Sequence, residues 1–331
     1  MSRDYVIISP ARDEAEFARR TLDSVTGQTV PPALWVIVDD GSTDGTSEII
    51  AEYAARFPYI RVHRRANRGV RSVGPGVIEA FYDGLATVTD LPRFPYLCKL
   101  DLDLDLPPKY FQILIERMEA EPRLGTCSGK AYFPGPSNTA KGWRGELIPE
   151  LAGDEMSVGM TKFYRRECFE QIGGFVRQVM WDGIDCHRCR MLGWLACSWD
   201  DPDLRFIHLR PMGSSHQGII TGRKRHGFGQ YFMGTSLVYM TASSMLRATK
   251  QPYLVGGAAM WWGFVESMLK GKQRFDDAEF RSFLRRYQWE CLVYGKRAAT
   301  DRLNERQKHE WHPPAPSPAS SPSPSAPSPS V

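Results

Sequence analysis

The stretch PYLCKLDLDLDLPPKY, Pro95–Tyr110, sets three aspartates, Asp101, Asp103 and Asp105, at alternate positions with leucines between them. A regular strand would line these carboxylates along one face, because alternate residues share a side. Like charges so placed repel, and Lys99 is the nearest cation in the stretch. The apolar run before the acids reads as a buried strand, and Pro107 with Pro108 leads the chain toward the next helix. The strand is therefore expected to end near Asp101, with Asp101 and Asp103 at its carboxyl end. Hard cations such as Mg²⁺ or Mn²⁺ prefer oxygen ligands. Mg²⁺ commonly takes one or two carboxylates and completes its shell with water and substrate phosphates. An Asp-x-Asp at a strand end supplies that set; a solvated surface strand is the other reading.

Working outward, the first hundred residues alternate strand and helix signals. DYVIISP, LWVIVDD, YIRVHRR and PYLCKLDLD are β-branched or apolar runs. DEAEFARRTLDSVTGQ carries helical spacing at Phe17, Leu22 and Val25, with Gly27 placed to close the helix. SEIIAEYAARF and GVIEAFYDGLATV read as two further helices. Continuous apolar strands separated by helices predict an α/β fold with a mostly parallel sheet covered on both faces. Such sheets bind ligands at the carboxyl ends of strands where the strand order reverses. From about Gly125 the pattern becomes mixed, with short strands in GTCSGKAYF and LRFIHLRP. From about Thr235 to Asn304 it reads as helical. The segment from Pro313 is almost wholly Pro, Ser and Ala and cannot bury enough apolar area to offset ordering entropy, so disorder is expected there.

The chain has 331 residues, of which 42% are hydrophobic and 24% charged, an ordinary globular balance. Its formal net charge of +4 is unevenly spread: residues 211–331 carry 16 Lys and Arg against 8 Asp and Glu. A basic last third suits an anionic partner, and a membrane surface fits better than nucleic acid, for which no binding motif is present. The seven cysteines are odd in number, and the start MSRDYVIISP lacks a long apolar run, so a reducing, cytoplasmic setting without a secretory signal is expected. Within YLVGGAAMWWGFVESMLKGK (Tyr253–Lys272) the apolar run is broken by Glu266 and flanked by lysines, which suits a helix lying on a membrane rather than spanning it, or a buried core helix.

A second acid cluster lies in VIVDDGSTDGT (Val36–Thr46). A strand end with two acids and a turn can accept hydrogen bonds from a base or a ribose, though Ser42, Thr43 or Asp44 could equally be a helix cap. The glycine spacing of a dinucleotide fingerprint or a P-loop is missing. Taken in order, VIISPARDEAEF, VIVDDGSTDGT and KLDLDLDLPPKYF resemble the family 2 glycosyltransferases of the GT-A fold. KFYRRECFEQIGGF (Lys162–Phe175), WDGIDCHRCRMLGW (Trp181–Trp194) and LRFIHLRPMGS extend the resemblance over roughly residues 3–230.

That resemblance implies roles for individual positions. Pro10, Arg12 and Glu14 fall where the first loop of the family touches the nucleotide, and Asp40 where an acid contacts the base. Asp101 matches the ribose or nucleotide contact, Asp103 a direct metal ligand, and His208 a second metal ligand at a strand end. Asp182 matches the catalytic base, with Asp185 as its rival. Trp181 stands where the family more often has an acid. The implied reaction is inverting transfer from a nucleotide-sugar donor, with Mg²⁺ or Mn²⁺ as cofactor, to a glycan or lipid-linked acceptor. The Gln-x-x-Arg-Trp of processive polymer synthases is missing, so single addition is expected.

The implied organisation is a GT-A domain over residues 1–230, a membrane-associated helical extension over 231–311 and a disordered tail over 312–331. GRKRHGFGQYF, with Arg223, Lys224 and Arg225, reads as a mobile basic loop closing on the donor or as a solvated charge run. Cys186 and Cys189 form a Cys-x-x-Cys without a second ligand pair and read as buried thiols. Two other functions share parts of the pattern: a nucleotide-sugar binder without turnover, and a phosphohydrolase of the haloacid dehalogenase type. The latter also carries Asp-x-Asp, but after the first strand of its fold rather than the fourth.

Overall fold

Apolar strands lacking polar alternation must be covered on both faces, and three of the first four strands are, while the edge strand Ile60–Arg64 alternates apolar and polar residues. A computed structural model describes residues 2–69, 74–134, 147–150, 152–210, 218–250 and 252–313. In it β1 (Tyr5–Ala11), α1 (Ala18–Thr26), β2 (Leu34–Asp39), α2 (Thr46–Arg56), β3 (Ile60–Arg64), α3 (Pro75–Ala86) and β4 (Tyr96–Leu100) follow in strict alternation. Tyr5, Ile7, Trp35 and Ile37 point into one layer with Leu22 and Val25 of α1 and Ile50 of α2. Val6, Ile8, Val36 and Val38 point into the opposite layer with Ile78 and Phe81 of α3. Burying each such side chain contributes about 1.5–3 kcal/mol. The polar exception, the Trp35 indole N–H, is satisfied by Ser9 Oγ at 2.9 Å.

After β4 come β5 (Leu104–Asp105), α4 (Tyr110–Ala120), β6 (Leu124–Gly129), β7 (Ala131–Pro134), β8 (Leu147–Pro149), β9 (Thr161–Arg165), α5 (Arg166–Gln171), α6 (Trp181–Met191), β10 (Leu195–Trp199) and β11 (Phe206–His208). Seven strands form the main sheet in the order β10-β6-β9-β4-β1-β2-β3. All its pairings are parallel except those of β9, which runs antiparallel between β4 and β6. The chain moves outward from β1 to β3 and then returns to place β4 on the other side of β1. The order therefore reverses between β1 and β4, which is where an open α/β sheet leaves a ligand crevice. Ile8 is in register with Lys99, so Pro10 and Asp101 stand level at that crevice.

The aspartate stretch is divided between two sheets. β4 stops at Leu100, as expected, and Asp101 to Asp103 cross to β5, which pairs with β11 in a second sheet of order β5-β11-β7-β8. The intervening Leu102, Leu104 and Leu106 are all buried. Asp105 thus lies in a strand of its own, facing away from the other two acids.

The remaining described chain is helical: α7 (Gly218–Met233), α8 (Leu237–Ala248), α9 (Val255–Leu269), α10 (Ala278–Tyr294) and α11 (Lys296–Arg306). Ser236 and Asp277 cap α8 and α10 by accepting the N–H of Tyr239 and Phe280. Phe280 and Leu284 of α10 pack on Ile184 of α6, joining these helices to the sheet domain. GRKRHGFGQYF, read from its basic run as a mobile loop or a solvated charge run, is not a loop; it lies inside α7. Glycine costs a helix about 1 kcal/mol in isolation, and here that cost is offset by the close packing the glycines allow. The tail from residue 314 and residues 211–217 lie outside the described residues.

Candidate active site

At the carboxyl end of β1 the chain turns through residues 12–17 into α1. Arg12 donates to the Asp40 carbonyl at 2.8 Å and to Asn67 Oδ1 at 2.9 Å, which ties this turn to the end of β2. The two acids ending β2 have different surroundings. Asp39 accepts from the Ser42 N–H at 2.9 Å and from Ser47 Oγ, so it shapes the turn. Asp40 is buried, with one oxygen 2.6 Å from Arg65 and the other 2.5 Å from Arg68. In this structure its carboxylate is neutralised by those two arginines, which sequence reasoning did not single out. Glu14 is buried and ion-paired with Arg210 at 2.6 Å.

The second group forms around Asp103. Arg210 Nε lies 2.6 Å from Asp103 Oδ2, so one guanidinium bridges Glu14 and Asp103. His208 Nε2 is 3.4 Å from the same oxygen, and His208 Nδ1 is 3.0 Å from Glu150 Oε1. Burial works against charge on both partners, yet their mutual hydrogen bond and the Arg210 cation hold Asp103 down at about 2. Burial would likewise lower His208, but Asp103 and Glu150 lift it to about 10. Asp101 sits nearby with Lys99 Nζ 2.5 Å away, and burial raises its pKa despite that cation. The third aspartate, Asp105, is held by Arg20 at 2.7 Å outside this group.

The third group is the first turn of α6. Asp185 is buried with Lys162 Nζ at 2.5 Å, and the Tyr164 hydroxyl also donates to it. Burial would lower the pKa of Lys162, but Asp185 beside it raises it. Asp182, one turn earlier, is different. Among the described residues no side chain donates a hydrogen bond to its carboxylate, and part of it remains open to solvent. It packs on Gly159, where a Cβ would fall 2.7 Å from Asp182 Oδ2, so only glycine leaves room for the carboxylate. Burial by its neighbours raises its pKa, and Asp185 adds to that rise against the opposing charge of Lys162.

Lys99 connects the groups. Its ammonium donates to the Gly159 carbonyl at 3.0 Å as well as to Asp101, and it stacks 5.2 Å over the Trp181 ring. Asp101 and the Gly159 backbone, on which Asp182 packs, thus share one buried lysine. Trp181, where an acid was more usual, lies over Lys99 and Lys162 and carries no proton-transfer group.

The donor set was tested against a divalent cation. Asp103 Oδ1 is buried and has no hydrogen-bond partner among the described residues. An anionic oxygen so placed is costly unless a ligand meets it. No three His, Cys, Asp or Glu side chains among the described residues enclose a metal by themselves. Two carboxylates completed by phosphate oxygens are what Mg²⁺ commonly uses, so the residues present fit.

A family model, glycosyl transferase family 2, matches residues 6–177, the span that carries β1 to α5 and the aspartate stretch. The chain belongs to glycosyl transferase family 2. Among curated relatives, poly-β-1,6-N-acetyl-D-glucosamine synthase of Staphylococcus epidermidis is 29% identical over 118 residues, 35% of this chain and 26% of that protein. The glycosyltransferase AglE of Haloferax volcanii is 32% identical over 88 residues, 24% of this chain and 29% of that protein. The chain therefore matches little more than a quarter of these relatives' length. Among solved structures, GalNAc-T7 superposes with a TM-score of 0.53 at 14% identity, covering 88% of this chain and 57% of that one. S. aureus TarS 1-349 gives 0.50 at 11% identity, covering 92% and 90%. These likenesses bear on fold, and the fold is the α/β, GT-A type.

Sequence reasoning on the family 2 motifs named Pro10, Arg12, Glu14, Asp40, Asp101, Asp103, Asp182 and His208. It missed Arg210, Glu150 and Lys162. Arg210 had a signal, since it follows His208 by two residues at a strand end; Glu150 lies in a stretch without a motif. Cys186 and Cys189 are buried in α6, with Cys186 Sγ 3.2 Å from Lys162 Nζ and Cys189 Sγ 3.4 Å from Cys168 Sγ.

Proposed function

We propose that this glycosyltransferase moves a sugar from a nucleoside-diphosphate donor to a hydroxyl of a glycan or lipid-linked acceptor, with inversion, by single addition. The observation that carries the reading is the link through Lys99: its ammonium donates to Asp101 and to the carbonyl of Gly159, the glycine against which the Asp182 carboxylate packs. Pro10, Arg12, Glu14 and Asp40 line the turn that would hold the nucleoside. Asp182, partly exposed and with a raised pKa, takes the proton of the acceptor hydroxyl as its oxygen bonds to the anomeric carbon. The bond from that carbon to the diphosphate oxygen breaks on the opposite face, and the electron pair leaves with the diphosphate. Arg210 places positive charge beside that leaving group. A bound Mg²⁺ or Mn²⁺, held by the carboxylates of Asp103 and Asp101 with phosphate oxygens of the donor, would supply Lewis-acid stabilisation of the same charge, while His208, an imidazolium between Asp103 and Glu150, orients Asp103 instead of ligating the ion as expected. GalNAc-T7, of the same fold, was crystallised with UDP, GalNAc and Mn²⁺.

A transferase domain over residues 1–230, a helical extension over 231–311 and a tail over 312–331 complete the reading, with the work done at the inner face of a cell membrane. A panel of nucleotide sugars tested by thermal shift with Mn²⁺ identifies the donor, since a bound ligand raises stability by mass action. Slow hydrolysis of that donor, lost in Asp182→Asn while binding persists, supports a transferase. Binding with no turnover of any donor supports a binder, and phosphate release from simple monoesters without a nucleotide supports a phosphohydrolase.

A further inference from the structure

Helix α9 is apolar around its circumference, and its two sides are used differently. On the inner side Gly263 meets the Lys224 carbonyl of α7, where a Cβ would come within 2.2 Å, and Gly257 meets the Ser244 carbonyl of α8 within 2.4 Å. Gly227 of α7 answers against the Met260 carbonyl at 2.0 Å. These contacts key α9 between α7 and α8 at backbone distance. On the outer side Val255, Ala258, Trp262 and Leu269 fall along one stripe of the helix, with Val265 half-buried beneath it against Tyr231, Met240, Met260 and Phe264. Val255 is 51% exposed, Trp262 49% and Leu269 72%.

The neighbouring helix extends this surface. Val238 and Met245 of α8 are exposed, with Thr241 between them on the same stripe. Trp261 Nε1 donates to Thr241 Oγ1 at 3.2 Å, so the two stripes meet. The turn joining the helices carries Tyr253 and Leu254, exposed by 61% and 73%. Soluble monomers rarely leave apolar side chains contiguous on this scale without a use.

Charge decides among occupants. Between Leu237 and Lys272 there are four cations, Arg247, Lys250, Lys270 and Lys272, against one acid, Glu266, which is itself paired with Lys270 and Lys224. Two copies meeting through this face would bring like charges together, whereas an anionic lipid surface would neutralise them. No helix among the described residues is long and apolar enough to cross a membrane, and the 15 residues of α9 span only about 22 Å. We infer that the α8–α9 hairpin is a monotopic docking face for an anionic lipid bilayer, inserting Leu254, Trp262 and Leu269 to the headgroup boundary while Lys250, Lys270 and Lys272 engage the headgroups. Because α7 is keyed to α9, the docked hairpin holds the sheet domain at a fixed distance from the surface. Its use in presenting a lipid-linked acceptor rests on the transferase reading; the docking itself does not.

The test is flotation of the full chain with phosphatidylglycerol-containing vesicles and with pure phosphatidylcholine vesicles, for the wild type, Trp262→Glu, Leu269→Glu and the pair Lys270→Glu with Lys272→Glu. Binding to the anionic vesicles is expected, weakened by salt and reduced about tenfold in each variant. Circular dichroism and donor hydrolysis should be unchanged in all of them, since none touches the acid clusters. Wild-type chain that floats with neither vesicle, or variants that float as well as wild type, would overturn the docking face. So would a dimer on size exclusion that Trp262→Glu dissociates, which would assign the face to a second copy. Vesicle binding without turnover of any donor would leave the docking standing and overturn only the transferase reading.

Discussion

Two short regions, Asp101–Asp105 and Trp181–Asp185, pose the same problem of several carboxylates close together, and both solve it by sorting them. In the first, Asp105 is held by Arg20, while Asp103, paired through Oδ2 with Arg210 and His208, keeps Oδ1 buried without a partner among the described residues. In the second, Asp185 is held by Lys162 and Tyr164, while Asp182 packs on a glycine with no side-chain donor among the described residues. An acid whose partners satisfy it contributes to structure; an oxygen left over, in a place where being left over is costly, is available for a ligand or a proton. The residue type is identical in all four cases, so the surroundings make the difference.

The comparison breaks most visibly at Asp103. Replacing it with Asn should lower transfer by about a thousandfold or more and abolish the stabilisation of the donor complex by Mn²⁺ in thermal shift. Retained Mn²⁺ dependence would place the metal elsewhere. Lys162→Met removes the cation of the locked acid and leaves a buried charge behind. Urea unfolding should show a loss of about 3–5 kcal/mol, with donor specificity unchanged in whatever fraction remains folded.

The pH profile probes the other leftover acid. The pKa of Asp182 is raised, and a base works only when ionised. The acid limb of kcat/KM should therefore lie above the ordinary carboxylate range near about 4, with activity rising as pH rises through it. The folded state holds this proton more tightly than the unfolded chain, so ionising Asp182 above its folded pKa opposes folding. Asp182→Asn should consequently raise Tm at neutral pH by about 1–3 °C while removing activity. Smallest of all, Asp105→Asn should cost under about 1 kcal/mol and little activity, since its pair with Arg20 is partly exposed.

How much of this was legible follows from the same contrast. The alternation of apolar strands with helices is a local property, and it predicted the sheet, its parallel strands and the end of β4 beside Asp101. Asp101, Asp103, Asp182 and His208 were named because motifs repeat in a family. What the sequence withheld was pairing across distance. Nothing local connects Arg210 to Glu14, 196 residues apart, or Glu150 to His208, 58 apart. Nor does a local pattern say that Asp182, half-buried against Gly159, and Asp185, three residues on and paired with a buried lysine, have different surroundings. The basic run at Arg223–Arg225 was read from its charges as a loop or a solvated run. That it is helical depends on another distant contact, the backbone of α9 closing on Gly227.

The central claim, that Asp182 is the base and the acids around Asp103 hold the donor, meets its most direct test in one comparison. Donor affinity with Mn²⁺ and turnover of the same donor are measured side by side in the wild type and in Asp182→Asn. The account predicts unchanged affinity, within about twofold, and turnover reduced by about a hundredfold to ten-thousandfold. Turnover within a few-fold of wild type would contradict it and move the base to another acid.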